Sequence, residues 1–363
     1  MAISMEFLYG SATGVGSLPH RDVSAALRLV KENLPRGPHW PQLPNIGSDG
    51  GFIRQYLSFL IDLNIIALKK GETPFFSNGD EVWPEKEQGF YELYLEMQES
   101  EEKESRVLDL FAFPHHEAKG FYSFLEEDWS TAAGEKPDFV KGHITGPLSL
   151  GLQVTSADGK AAFYPDNLRD ILVKNLVLHG RSQVRALKKT GAPVVIFIDE
   201  PALLAYGQSM YASLAAGDIM ASLEEIILAL REEGAIVGVH CCAGIDWSLL
   251  FNLPLDIVSF DAYSYFDSLL VYAEDADSFL KRGGILAWGL VPTAGAAIDT
   301  EEISSLEKRF EEGIERLVKK GLSPQRLRKQ YMLTPSCGTA TLTIEQAEKV
   351  YRLTADLKTA ISL

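Results

Sequence analysis

The chain has 363 residues, 46% of them hydrophobic, and its 50 acidic against 34 basic side chains leave a formal net charge of −16. That balance argues against a nucleic-acid partner, which needs a basic surface, and against docking on anionic membranes. No apolar run reaches the ~18–20 residues that span a bilayer, the first residues do not read as a signal peptide, and three cysteines cannot make a paired disulfide framework, so a reduced, cytoplasmic setting is expected.

In chain order, eight short segments rich in β-branched or apolar residues end in Gly, Pro or a polar residue: SATGVGS (11–17), HWPQLP (39–44), DFVKGHITGP (138–147), PVVIFIDEP (193–201), AIVGVHCCAG (235–244), LDIVSFDAY (255–263), GILAWGLVP (284–292) and YMLTPSCG (331–338). Amphipathic stretches lie between them, at 21–34, 167–191, 221–234 and 302–321. Buried parallel strands read as near-continuous apolar runs, and strand–helix alternation predicts a parallel α/β architecture. Eight units predict a (β/α)8 TIM barrel, with a doubly wound open sheet as the alternative. No Gly-x-Gly-x-x-Gly follows the first strand, which leaves dinucleotide binding without support. An insertion over about 67–137 separates the second and third strands. It holds a predicted hairpin, PFFSNGDEVWP (74–84), then acid-rich helical sequence. With no linker or tandem repeat, residues 1–363 read as a single domain.

In such barrels the chemistry sits at the C-terminal ends of the strands. Polar residues interrupt the apolar runs there: Gly16 and Ser17, then His143, then Asp199 and Glu200, then His240, Cys241 and Cys242, then Asp261, and finally Ser336 and Cys337. His240, Cys242 and the distant Cys337 are a soft-ligand set suited to Zn2+. Alternation along a strand points His240 and Cys242 to one side and Cys241 to the other, so Cys242 is the expected ligand and Cys241 a packing residue. Asp261, at the end of the next strand, is the carboxylate candidate for a fourth ligand; capping backbone amides is its other reading. A metal there would deprotonate a thiol, whose ordinary pKa is about 8.5. Asp199 could hold a substrate ammonium, and either Asp199 or Glu200 could instead accept amides at the barrel mouth. His143 reads as a supporting group beside the reaction.

The segments TGVGSLPH, GHITGPLSLG, FIDEPAL, VHCCAG, VSFDAY and PSCG together resemble the catalytic barrel of the cobalamin-independent methionine synthase family. That barrel shares a superfamily with uroporphyrinogen decarboxylase. The resemblance spans nearly the whole chain in the family's order. It implies a zinc-dependent methyltransferase acting on a thiol, most directly homocysteine, with His240, Cys242 and Cys337 as zinc ligands. It implies Asp261 where the family carries a glutamate ligand, Gly16 and Ser17 at the substrate carboxylate, and Asp199 at its amino group. The chain is long enough for one barrel where the full-length family members have two. Arg54 and Gln55 stand where a family glutamate is expected, and no histidine follows the seventh strand in WGLVPTAG. These departures leave two methyl donors open, a methyl-corrinoid carrier protein or methyltetrahydrofolate. The remaining alternatives are another thiol acceptor, such as coenzyme M, and a barrel that binds zinc or a corrinoid without turnover.

Overall fold

In a computed structural model, residues 5–46, 53–69, 73–131 and 133–361 are described. Seven strands form one parallel sheet: β1 (Ser11–Ala12), β4 (Val140–Thr145), β5 (Val194–Asp199), β6 (Ile236–Cys241), β7 (Ile257–Phe260), β8 (Ile285–Val291) and β9 (Tyr331–Pro335), while β2 (Ile66–Leu68) and β3 (Pro74–Phe76) make a separate antiparallel pair. The sheet order is β1-β9-β8-β7-β6-β5-β4. It is curled, and consistent with a TIM-like barrel.

The expected second strand, HWPQLP, is not a strand of the ladder. It makes only isolated parallel bridges, His39 with Lys141 and Ser17 with Gln42. Pro38 and Pro41 carry no backbone N–H and cannot donate to a ladder. The segment nevertheless bonds to both edges of the sheet. Lys141 N donates to Pro38 O (2.8 Å) and Trp40 N to Lys141 O (3.2 Å) on the β4 side, while Gln42 N donates to Gly16 O (3.1 Å) and Leu18 N to Gln42 O (2.9 Å) on the β1 side.

The expected hairpin is displaced as well. Its first arm, Pro74–Phe76, pairs backwards with Ile66–Leu68, and its second arm opens the helix Trp83–Glu96, with Pro84 in the first turn. Proline suits that position because the first N–H groups of a helix have no intrahelical partner. Helices Glu101–Leu110 and Lys119–Glu126 complete the region before β4.

Alternation along the strands sorts the side chains into two cores. Val195, Phe197, Ile236, Ile257, Ile285, Ala287 and Met332, with Phe139 and Leu8, make a compact cluster inside the curl. Their neighbours of opposite parity, such as Ile196, Val237 and Val258, pack outward against the helices. The helix Asp166–Lys188 is tied to the sheet through Gln183. Its side-chain oxygen accepts from His143 N (3.0 Å) and Trp40 Nε1 (2.9 Å), and its Nε2 donates to His143 O (3.0 Å). Among the described residues, no helix is long and apolar enough to cross a membrane.

Candidate active site

All seven strands of the sheet run the same way, so their C-terminal ends open onto one face. Positions that share parity with the inner cluster point into the space below that face: Lys141, His143 and Thr145 on β4, Asp199 on β5, His240 on β6, Ser259 on β7 and Thr334 on β9. Thr13 continues the inward row of β1, since Ser11 pairs with Met332. The lower layer of this interior is apolar, and the upper layer is polar. Thr13 Oγ1, both ring nitrogens of His143, Thr145 Oγ1, Asp199 Oδ1, His240 Nε2 and Thr334 Oγ1 are buried with no hydrogen-bond partner among the described residues. Buried polar atoms are normally satisfied, so a group of orphans in the upper layer of the sheet interior marks a site suited to a polar occupant, hereafter the chamber.

His240, Cys242 and Cys337 meet at the rim of this chamber. Their ligand atoms lie within 4.8 Å of one another. His240 Nδ1 is 2.9 Å from Ser259 Oγ, which sets the ring orientation and leaves Nε2 free to ligate. The hydrogen bond from Cys337 and the contact with His240 pull the Cys242 thiol well below its usual range, and the same shared hydrogen bond together with burial pushes Cys337 up. Cys241 turns outward into the core around the helices, and burial raises its thiol. The imidazole nitrogen and two sulfurs fit a soft divalent ion such as zinc, with room for further ligands.

Asp261 is not one of that set. It is buried near the cluster, but its Oδ1 accepts the Ser264 N–H at 2.7 Å, closing the turn after β7. Ser17 lies beside Cys337 along the chain fold. Its carbonyl accepts from Thr339 N (2.9 Å) and Thr339 Oγ1 (3.0 Å), and a side chain at Gly338 would collide with Ser17 Oγ. Gly16, at φ +148°, passes so close to His143 that an added Cβ would stand 2.7 Å from the imidazole. His143 itself stacks on Trp40 at 4.0 Å, and burial holds it well below its ordinary pKa, in the neutral form. Asp199 pairs with His240 in the β5–β6 register; burial pushes its carboxyl up, against the opposing charges of Lys141 and His240.

Glu200, the next residue, serves a different purpose. It is fully buried and turned away from the chamber. Its oxygens accept from Leu148 N (2.8 Å), Ser149 N (2.7 Å) and the Ser149 hydroxyl. It caps the helix Pro147–Gln153, whose first N–H groups lack intrahelical partners. Sequence reasoning left this amide-accepting role open between Asp199 and Glu200, and it missed the Ser259 contact and the inward-facing Lys141. A lysine two positions before His143 on β4, on the same face of the strand, was the signal available for the last.

Fold and cluster together define a barrel-type α/β protein with a His/Cys/Cys centre at the C-terminal face of its sheet. No protein-family model matches the chain, and no curated protein does. Solved structures similar to it include a B12-independent methionine synthase from a Shewanella species, in complex with selenomethionine. That match has 15% identity and a TM-score of 0.43, over 61% of this chain and 62% of that one. A second is a protein from Listeria monocytogenes assigned as a vitamin-B12-independent methionine synthase, at 16% identity and a TM-score of 0.45, over 66% of this chain and 69% of that one. The chain thus spans less than two thirds of the length of the first.

Proposed function

We propose that the chain is a zinc-dependent methyltransferase that moves a methyl group onto a thiol, homocysteine giving methionine. The observation that carries this reading is the convergence of His240, Cys242 and Cys337 within 4.8 Å at the mouth of a polar chamber. These three residues would hold the zinc ion, and Asp261, whose Oδ1 closes its own turn, would join them through its second carboxylate oxygen if at all. When bound, zinc supplies the charge that keeps a substrate thiol deprotonated at neutral pH.

The chain's own residues supply the rest. Asp199, with an unpartnered Oδ1, receives the substrate ammonium, and Ser17 with the Gly16 backbone meets the carboxylate. Neutral His143 offers one donor and one acceptor to the chamber. Fixing the amino-acid end aims the sulfur outward, towards a donor at the barrel mouth. Such alignment of nucleophile and methyl carbon is a large part of the catalysis of transfer reactions. The thiol proton leaves on binding, the sulfur–carbon bond forms, and the donor departs with the electron pair of its broken bond to methyl. The donor is a methyl-corrinoid protein or methyltetrahydrofolate. In this reading segment 38–42 is the eighth stave of a single-domain barrel, and the free cysteines belong to a reducing, cytoplasmic setting.

The test is methyl transfer to homocysteine by zinc-loaded protein, with methylcobalamin and methyltetrahydrofolate as alternative donors and coenzyme M as a competing acceptor. Formation of methionine from either donor supports the reading. Transfer to coenzyme M alone would move the assignment to a different thiol. One zinc per chain with no transfer to any thiol would leave a binding protein.

Ser259→Ala is expected to lower zinc affinity by about tenfold to a hundredfold, because the hydroxyl that orients a ligand imidazole is lost while the ligands stay. Chelator competition reads the change, and an unaltered thermal midpoint would confirm that the fold is intact.

A further inference from the structure

The interior of the curled sheet contains a cation that the proposed chemistry leaves unused. Lys141, at an inward position of β4, is completely buried. Its Nζ donates to Val15 O at 2.6 Å and sits 4.5 Å above the Phe197 ring. Val15 precedes Gly16 and Ser17. Phe197 is the inward neighbour directly below Asp199 on β5. The ammonium therefore lies under the floor of the chamber, between the β1 loop and Asp199. An ammonium carries three donors, and among the described residues one carbonyl and one aromatic face are its short-range partners. It has no carboxylate within ion-pair distance there, and Asp199 is the acidic group whose charge it feels.

A buried, incompletely paired cation is costly to the fold. Tertiary packing alone would be served better by leucine or methionine at this position. What the lysine adds is a positive charge tied to one backbone carbonyl of the loop before Gly16 and Ser17, within electrostatic reach of Asp199.

We infer that Lys141 is a positioning residue, which sets Asp199 and the Val15–Ser17 loop so that the chamber takes the zwitterionic head of an α-amino acid. This rests on the reading of the chamber as an amino-acid site. In that arrangement the Lys141 charge acts on Asp199 through space without a direct contact, Asp199 presents its unpartnered oxygen to the incoming ammonium, and the tethered Val15 carbonyl holds Gly16 and Ser17 at the carboxylate. The specificity consequence is selection for an α-amino group rather than for the thiol alone.

The experiment compares two thiols that differ only in that amino group, L-homocysteine and 4-mercaptobutanoate, by calorimetric binding to zinc-loaded wild type, Lys141→Met, Asp199→Asn and the double variant. Wild type is expected to prefer homocysteine by at least about tenfold. Lys141→Met is expected to erase most of that preference while binding 4-mercaptobutanoate within about twofold of wild type, and to add little in the Asp199→Asn background, as coupled residues do. Equal loss of both thiols, or a preserved preference, would overturn the inference. Should Lys141→Met fail to fold, Lys141→Gln keeps a donor for Val15 O and is held to the same comparison. A wild type that binds both thiols equally would remove the amino-acid site and this inference with it. Normal discrimination in wild type that survives in the lysine variants would remove only the role of Lys141.

Discussion

Cys337→Ser is expected to release the metal and to lower methyl transfer by more than about a hundredfold, with the fold retained. A change to an outer partner of a metal ligand already costs tenfold to a hundredfold, and serine replaces a soft thiolate by a hydroxyl that ionises far less readily. His240→Ala should do the same by removing the ring nitrogen. The fold should survive because neither side chain belongs to the two apolar clusters. The inner apolar cluster lies below the site, and Cys241 holds the outward position beside His240. Metal content by elemental analysis, with thermal unfolding on the same samples, checks both halves. Zinc retained by both variants would exclude this centre. Loss of the cooperative unfolding transition would instead make the metal a structural element.

Glu200→Ala is expected to destabilise the protein by about 3 kcal/mol, the scale for removing one partner from a buried charged hydrogen-bond cluster. Three donors from Leu148 and Ser149 would be left without an acceptor in a site closed to water. The loss should appear as a lower urea midpoint at unchanged m-value. The carboxyl is pushed up to about 7, with burial the largest cause. Because its folded-state pKa stands above the unfolded value, protonation favours the folded state. The contribution of this group is therefore fullest below about 4.5 and is lost as pH rises through about 7. Wild-type stability should fall across that window, and the slope should flatten in Glu200→Ala. A variant with the wild-type midpoint would show that the helix Pro147–Gln153 does not depend on this cap.

The contrast between Asp199 and Glu200 shows how much of the site was readable before folding. Both end the same apolar run; Asp199 could serve substrate, and either could serve backbone. Strand alternation places one of them inside the curl and the other outside it. Which one faces the chamber depends on the phase of that alternation relative to the inner cluster. Three-dimensional packing of Phe197 and Val195 against the other strands sets that phase. The cysteines were more legible, because alternation from His240 separates Cys241 from Cys242 whatever the neighbouring strands do. Asp261 lay at the limit of such reasoning. Its place at the end of β7 is a pattern in the sequence, but its engagement with Ser264 is a local turn that occupies one of its two oxygens.

The sequence by itself determined the parallel α/β class, since buried parallel strands must be apolar runs and their crossovers amphipathic helices. It also determined that polar residues gather at the strand ends, and which chemistry a histidine and two thiols can support. Tertiary structure decided the rest. Pro38 and Pro41 turned a predicted strand into isolated bridges, because donors missing from a backbone count only once a neighbour needs them. Residues Pro74–Phe76 took an upstream partner instead of the downstream one, because either pairing satisfies the local pattern and only packing distinguishes them. Lys141 became the buried cation beneath the chamber because the sheet curls, bringing Val15 of the loop after β1 and Phe197 of β5 to it from distant parts of the chain. A periodic pattern specifies which side of its own strand a residue occupies. What waits for it on that side is set by the other strands.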